Sequence, residues 1–140
     1  MILNLITAPA EEPLTLSDLE AQVRLPGQLV DEQEFVEGLV TAVRELAEFT
    51  TKRALVTQTW ELTLDDFPAG RNAIPLPLPP LQTVDSIIYI DNGGDVQTMN
   101  PLDYRVIIDK SGPSFVLPMY GKFWPSTLND IAVIKITFTC

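Results

Sequence analysis

Residues 31–53, DEQEFVEGLVTAVRELAEFTTKR, constrain this chain more than any other stretch, because no other segment is long and periodic enough to demand a helix. Phe35, Leu39, Ala42, Val43, Leu46 and Phe49 recur at three- and four-residue spacings and so share one side of a 3.6-residue period. Glu32, Glu37, Arg44, Glu45, Glu48 and Lys52 mostly fall elsewhere on the cylinder. Asp31 with Glu34 three residues on has the form of an N-terminal cap, and Val30 and Phe35 occupy the positions of a hydrophobic staple. Acidic residues in the first turn and Lys52-Arg53 in the last suit the helix dipole. Gly38 weakens the interior by about 1 kcal/mol relative to alanine and is expected to mark the close approach of another element. At 1.5 Å per residue the helix runs roughly 33 Å. Its stripe needs a partner, supplied by a sheet or by neighbouring subunits. The expectation is that Phe35, Leu39, Val43 and Leu46 are core, with Leu46→Ala costing about 2–5 kcal/mol.

The period changes after residue 55. In TQTWELTLDDF, Trp60, Leu62 and Leu64 alternate with Thr59, Glu61 and Thr63, as in a half-buried strand. Residues 65–72 form a turn region, in which Asp65-Asp66 beside Pro68 and Gly70 reads as an exposed turn rather than as half of a carboxylate pair or a calcium site. In AIPLPLPPL the prolines cannot donate to a ladder, so Ile74, Leu76 and Leu78 belong to an edge strand or an extended segment. Residues 82–91, 96–98, 104–109 and 115–117 read as strands. Asn92-Gly93-Gly94-Asp95 makes a hairpin turn. After an aromatic loop over residues 118–130, Val133, Lys135, Thr137 and Thr139 alternate with Ile134, Ile136 and Phe138. Upstream, residues 1–13 are an extended lead-in, read equally as a strand within the subunit or an arm on a neighbour. Thr15 with Asp18 forms a capping box for a first helix over residues 15–25, and Pro26-Gly27 ends it. The class is α+β: one domain over residues 1–140, a helical part to residue 55, then an antiparallel β-rich part.

Composition excludes several chemistries. The chain has no histidine, so the commonest general base and metal ligand is missing, and Cys140 is its single cysteine. Gly93-Gly94 is a turn and not a phosphate loop. An enzyme is not expected, nor is a cofactor or a metal. One cysteine precludes an internal disulfide and suits cytosolic synthesis. No apolar run approaches the ~20 residues of a membrane span, and the N-terminal residues lack the basic start of a signal peptide. The net charge is −10, with ten acidic and four basic residues in 1–55. Such a chain has no basic patch with which to hold nucleic acid phosphates; on charge alone the first reading is solubility, and the second a wall whose repulsion lets DNA slide past.

In order, TQTWELTLDDFP, the proline-broken IPLPLPPLQTV, SIIYIDNGG, DYRV and YGKFWP resemble the head–tail connector (adaptor) proteins of tailed bacteriophages and prophages. LITAPAEEPLTLSDLEAQVRL followed by a helix opening Asp-Glu fits the same pattern, so the resemblance covers roughly residues 3–138. It implies a structural virion protein that assembles as a ring, usually dodecameric, below the portal. The ring extends the DNA channel and meets a neck, tail-completion or stopper protein. The helices lie around the channel and the β part to the outside. The location implied is the virion neck after synthesis in the bacterial cytoplasm, with no membrane and no specific DNA binding. Related sequences usually continue past the last strand into a C-terminal helix that helps dock the portal, whereas this sequence stops at Thr139-Cys140.

The residues proposed for protein contacts are Tyr120, Phe123, Trp124 and Pro125, together with Arg44 and Arg53, which pair locally or across subunits. Trp124 either anchors a neighbour or plugs one end of the β unit, and Trp60 is read as core. Glu32, Glu37, Glu45 and Glu48 are the expected channel-facing acids. Two other classes stay open. A carbohydrate-binding or adhesion module would stack sugars on Trp124, Tyr120 and Tyr89. A carboxylate-only hydrolase would need two acids ~5–10 Å apart in a cleft, a spacing nothing in the sequence suggests.

Overall fold

The computed structural model describes residues 1–23 and 32–140. The Asp31 cap, the Val30–Phe35 staple, the Pro26-Gly27 stop and the last two residues expected in the first helix lie outside the described residues. Among the described residues two helices and eight strands follow one another as β1 (Ile2–Thr7), α1 (Leu16–Val23), α2 (Gln33–Thr51), β2 (Thr59–Leu64), β3 (Ile74–Leu76), β4 (Thr83–Ile90), β5 (Val96–Thr98), β6 (Tyr104–Ile107), β7 (Ser114–Pro118) and β8 (Ile134–Thr139). The class is α+β, and every strand pair is antiparallel.

One sheet has the order β1-β2-β8-β4-β5 and the other the order β3-β7-β6. Alternation sets the register. Leu3, Leu62, Ile136 and Ile87 form one row across four strands; Leu5, Trp60, Phe138 and Val84 form the next. Side chains of paired residues share a face, so the apolar set of β8 meets those of β2 and β4 on both sides. The small sheet does the same with Ile74, Val116 and Val106. Leu62, Ile87, Ile136 and Phe138 of one sheet and Ile74, Leu76 and Val116 of the other belong to a single buried cluster. The prolines of residues 75–80 confine β3 to a sheet edge, as their missing donors require. β1 is an edge strand of its own subunit's large sheet.

The first helix is capped as its sequence requires. The Thr15 hydroxyl accepts the Asp18 N–H at 3.2 Å, and the Asp18 carboxylate accepts the Thr15 N–H at 2.9 Å.

The long helix differs from expectation in which side it buries. Phe35, Leu39, Val43, Leu46 and Phe49 are 48–70% exposed, while Val40, Arg44 and Glu48 are buried. The apolar residues of α2 cover about half its circumference, since Val36, Val40 and Ala47 extend the stripe around the cylinder. Among the described residues that extension, continued by Arg44 and Glu48, is the more buried side of the helix. The same exposure removes the packing role assigned to Leu46. Leu46→Ala is expected to change the stability of the isolated subunit by less than about 1 kcal/mol in urea unfolding, because an exposed side chain leaves no cavity. The close approach expected at Gly38 is not seen among the described residues: a Cβ built there meets nothing within 4 Å.

Candidate functional site

Two regions carry the residues singled out above, the helical layer and the loop over residues 118–130. In the helical layer a charged network joins three parts of the chain. The Arg44 guanidinium donates from Nε to Glu12 Oε2 at 2.8 Å and from Nη2 to Glu12 Oε1 at 3.3 Å. From Nη1 it donates to Glu48 Oε2 at 2.7 Å. The other Glu48 oxygen accepts the Leu55 N–H and the Gln58 side-chain amide, both at 2.8 Å. Gln58 exchanges backbone hydrogen bonds with Cys140 at 2.9 and 3.0 Å, so the network reaches the end of β8. Thr41 Oγ1 donates to Glu12 at 2.9 Å.

These contacts account for the titration shifts. The hydrogen bond from Arg44 holds the Glu12 carboxyl below its usual value, and the same contact raises Arg44. Burial, then the charge of Glu48, pushes the Cys140 thiol up to about 12. Glu12 therefore stabilises the fold fully above the ordinary glutamate value of 4.5, and this contribution is lost as pH falls through its depressed folded value. Glu12→Gln is expected to flatten the acid limb of the stability-versus-pH curve below 4.5, which urea unfolding across that range measures.

Arg44 is thus spent inside the subunit, on the local alternative of the two pairings foreseen for it. Glu48, expected on a channel wall, is buried at 7% exposure beneath Arg44 and Gln58. Glu32, Glu37 and Glu45 remain exposed. Arg53 donates to the carbonyls of Ser111 and Lys110 at 3.1 and 2.9 Å, fastening the end of α2 to the turn between β6 and β7. Lys52 ends the helix at φ 56° with its ammonium 3.8 Å from the Phe49 ring centroid. Sequence reasoning missed Glu12 and Gln58. Neither carries a periodic signal, and their partners lie 32 and 10 residues away.

In the aromatic loop Trp124 stacks on Phe67 with ring centroids 4.7 Å apart, and its indole N–H donates to the Asn72 carbonyl at 2.9 Å. Tyr89 meets the same Phe67 edge-on at 5.8 Å. Trp124 packs as a plug, with Pro125 half-buried beside it, while Tyr120 and Phe123 are 88% and 70% exposed. The Arg71 guanidinium sits 5.5 Å from the Tyr120 ring, and Lys122 pairs with Asp103. Asp65 accepts the Ala132 N–H at 2.8 Å and Asp66 accepts the Thr127 hydroxyl at 3.0 Å. These two acids pin the loop rather than face each other across a cleft. Of the three rings considered for sugar stacking, Tyr120 is exposed and carries Arg71 over its ring, whereas Trp124 and Tyr89 are half-buried against Phe67. Trp60 packs half-buried against the core, its indole N–H without a hydrogen-bond partner among the described residues. Among the described residues no group of three His, Cys, Asp or Glu is placed to hold a metal ion, and no helix is long and apolar enough to cross a membrane.

Solved structures match this arrangement over its full length. A chain in the neck of an empty gene transfer agent (GTA) particle with C6 symmetry superposes with a TM-score of 0.77 at 23% identity, covering 100% of this chain and 71% of that one. A chain in the virion of a native GTA particle gives 0.79 at 23% identity, with the same coverages. All of this chain and 69% of another match in the neck of a native GTA particle with C12 symmetry, at 0.65 and 23% identity. The fold is shared. No protein-family model matches the sequence, and no curated protein matches it.

Proposed function

We propose that this protein is a head–tail connector subunit of the adaptor type, one copy of a ring in the neck of a phage-like particle. The observation that carries the reading is the fold likeness. The whole of this chain, helical layer and both sheets together, superposes on chains of particle necks and virions at TM-scores of 0.77 and 0.79. The resemblance of its motifs to phage adaptors points the same way, as do the C6 and C12 symmetries of the neck structures. In this role the protein is structural and performs no reaction. The portal lies on one side of the ring, a stopper or tail-completion protein on the other, and DNA passes through the middle. Tyr120 and Phe123, exposed at the tip of a loop pinned by Trp124, Asp65 and Asp66, present aromatic surface to one of these neighbours.

The charge of the helical layer fits passage without adhesion. Glu32, Glu37 and Glu45 face the channel or its rim, where a basic wall would release counterions and hold the duplex. At physiological salt their repulsion reaches about 8 Å, enough to keep phosphates off the wall without blocking transit. The isolated protein is expected not to retard duplex DNA in a gel-shift assay even at low salt; measurable retention would contradict this arrangement. The role itself is tested by inactivating the gene in cells that produce the particle. The expected product is heads that have packaged DNA but lack tails and lose the genome. Normal tailed, infectious particles would refute the role.

A further inference from the structure

The outer face of α2 stays largely exposed among the described residues, with the Lys52 ammonium over its last ring, Phe49. Phe35, Leu39, Val43, Leu46 and Phe49 stand on it at 48–70% exposure. Two aromatic and three aliphatic side chains exposed to this extent leave on the order of 400 Å² of apolar surface in water. At the apolar fraction of about 60% common to interfaces, this corresponds to roughly 700 Å² per partner, close to the ~800 Å² of a standard specific interface. Beside the ridge lies a groove of 390 Å³ between α1 and α2, lined by Leu14, Leu19, Val23, Val36, Val40 and Ala47. Among the described residues its charged lining side chain is Arg44, already paired with Glu12 and Glu48. Leu39 and Val43 border both surfaces. One subunit therefore carries a convex apolar ridge and a concave apolar groove in the same layer. Cyclic symmetry requires just such a pair of unlike, complementary patches, since each subunit meets its two neighbours with different surfaces. Gly38 adds to this. It is less favourable in a helix than alanine, a Cβ there would meet nothing within 4 Å among the described residues, and its bare backbone lets a neighbour come close.

We infer that copies of this chain contact one another through α2, the ridge of one copy seated in the α1–α2 groove of the next. The inference rests on the ring reading and deepens it by assigning the surfaces. It is tested in the full chain carrying Cys140→Ser, with Leu46→Cys on the ridge and Leu14→Cys on the groove lip, each variant treated with a short bismaleimide. Leu46→Cys mixed with Leu14→Cys is expected to give a covalent dimer, and each alone to stay monomeric. The variant carrying both is expected to give a ladder extending to the full ring. Covalent dimers from Leu46→Cys alone would mean a ridge-to-ridge contact and overturn the inference. So would a ring, seen by sedimentation or in particle necks, in which the mixture does not cross-link. The ring reading fails separately, and the inference with it, if the unmodified chain sediments as a monomer at millimolar concentration and occurs as single copies in particles.

Discussion

Arg44→Met is expected to destabilise the subunit by about 3–5 kcal/mol, the range for removing one partner of a buried ion pair. The guanidinium is 6% exposed and, among the described residues, is the cation that pairs with both Glu48 and Glu12. Without it Glu48 is left buried beneath Gln58 with an uncompensated charge, and the segment around Glu12 loses its hold on α2. The network also predicts a rescue. Adding Glu48→Gln and Glu12→Gln to Arg44→Met removes the orphaned charges, and most of the lost stability is expected to return, since a neutral replacement of a whole buried network is often nearly neutral. Urea unfolding of the single and triple variants measures both steps. A loss below 1 kcal/mol for Arg44→Met would mean that water reaches this network in solution.

Phe138→Ala carries the second large effect, a loss of about 3–5 kcal/mol. Phe138 is fully buried on the central strand β8, between Trp60 of β2 and Val84 of β4. Truncation opens a cavity between rows that three strands hold in register, so little collapse is available to fill it. The contrast with Leu46→Ala is informative, because both residues sit in apolar periodic patterns of similar strength. The structure assigns the first to the core and the second to water. Equal losses from the two substitutions would contradict that assignment.

The β-rich part was legible in the sequence because a period of two leaves only two faces to choose between. Ile134, Ile136 and Phe138 had to share one face, and the face they share is the buried one. The prolines around Leu76 and Leu78 marked an edge for an equally local reason. Thr15 and Asp18 reported a helix start through contacts three residues apart. The long helix was legible as a helix but not in its orientation. Its apolar arc is wide enough to serve two partners, and nothing local distinguishes the side that faces its own subunit. Arg44 and Glu48 read as solvent-facing charges, because the groups that make their burial tolerable, Glu12 and Gln58, are distant in sequence or non-periodic. Trp124 was ambiguous for a similar reason: its stacking partner Phe67 lies across a loop-to-loop contact.

The central claim, that this chain is a ring-forming subunit of a particle neck, is tested most directly by a cryo-EM reconstruction of the neck of particles from cells carrying its gene. The account predicts density for several copies of this fold arranged around the DNA axis beneath the portal. In that ring α2 lies toward the channel and the sheets of β1–β8 to the outside. A neck in which no copy of this chain occurs, or a particle that carries the chain elsewhere than at the head–tail junction, would contradict it.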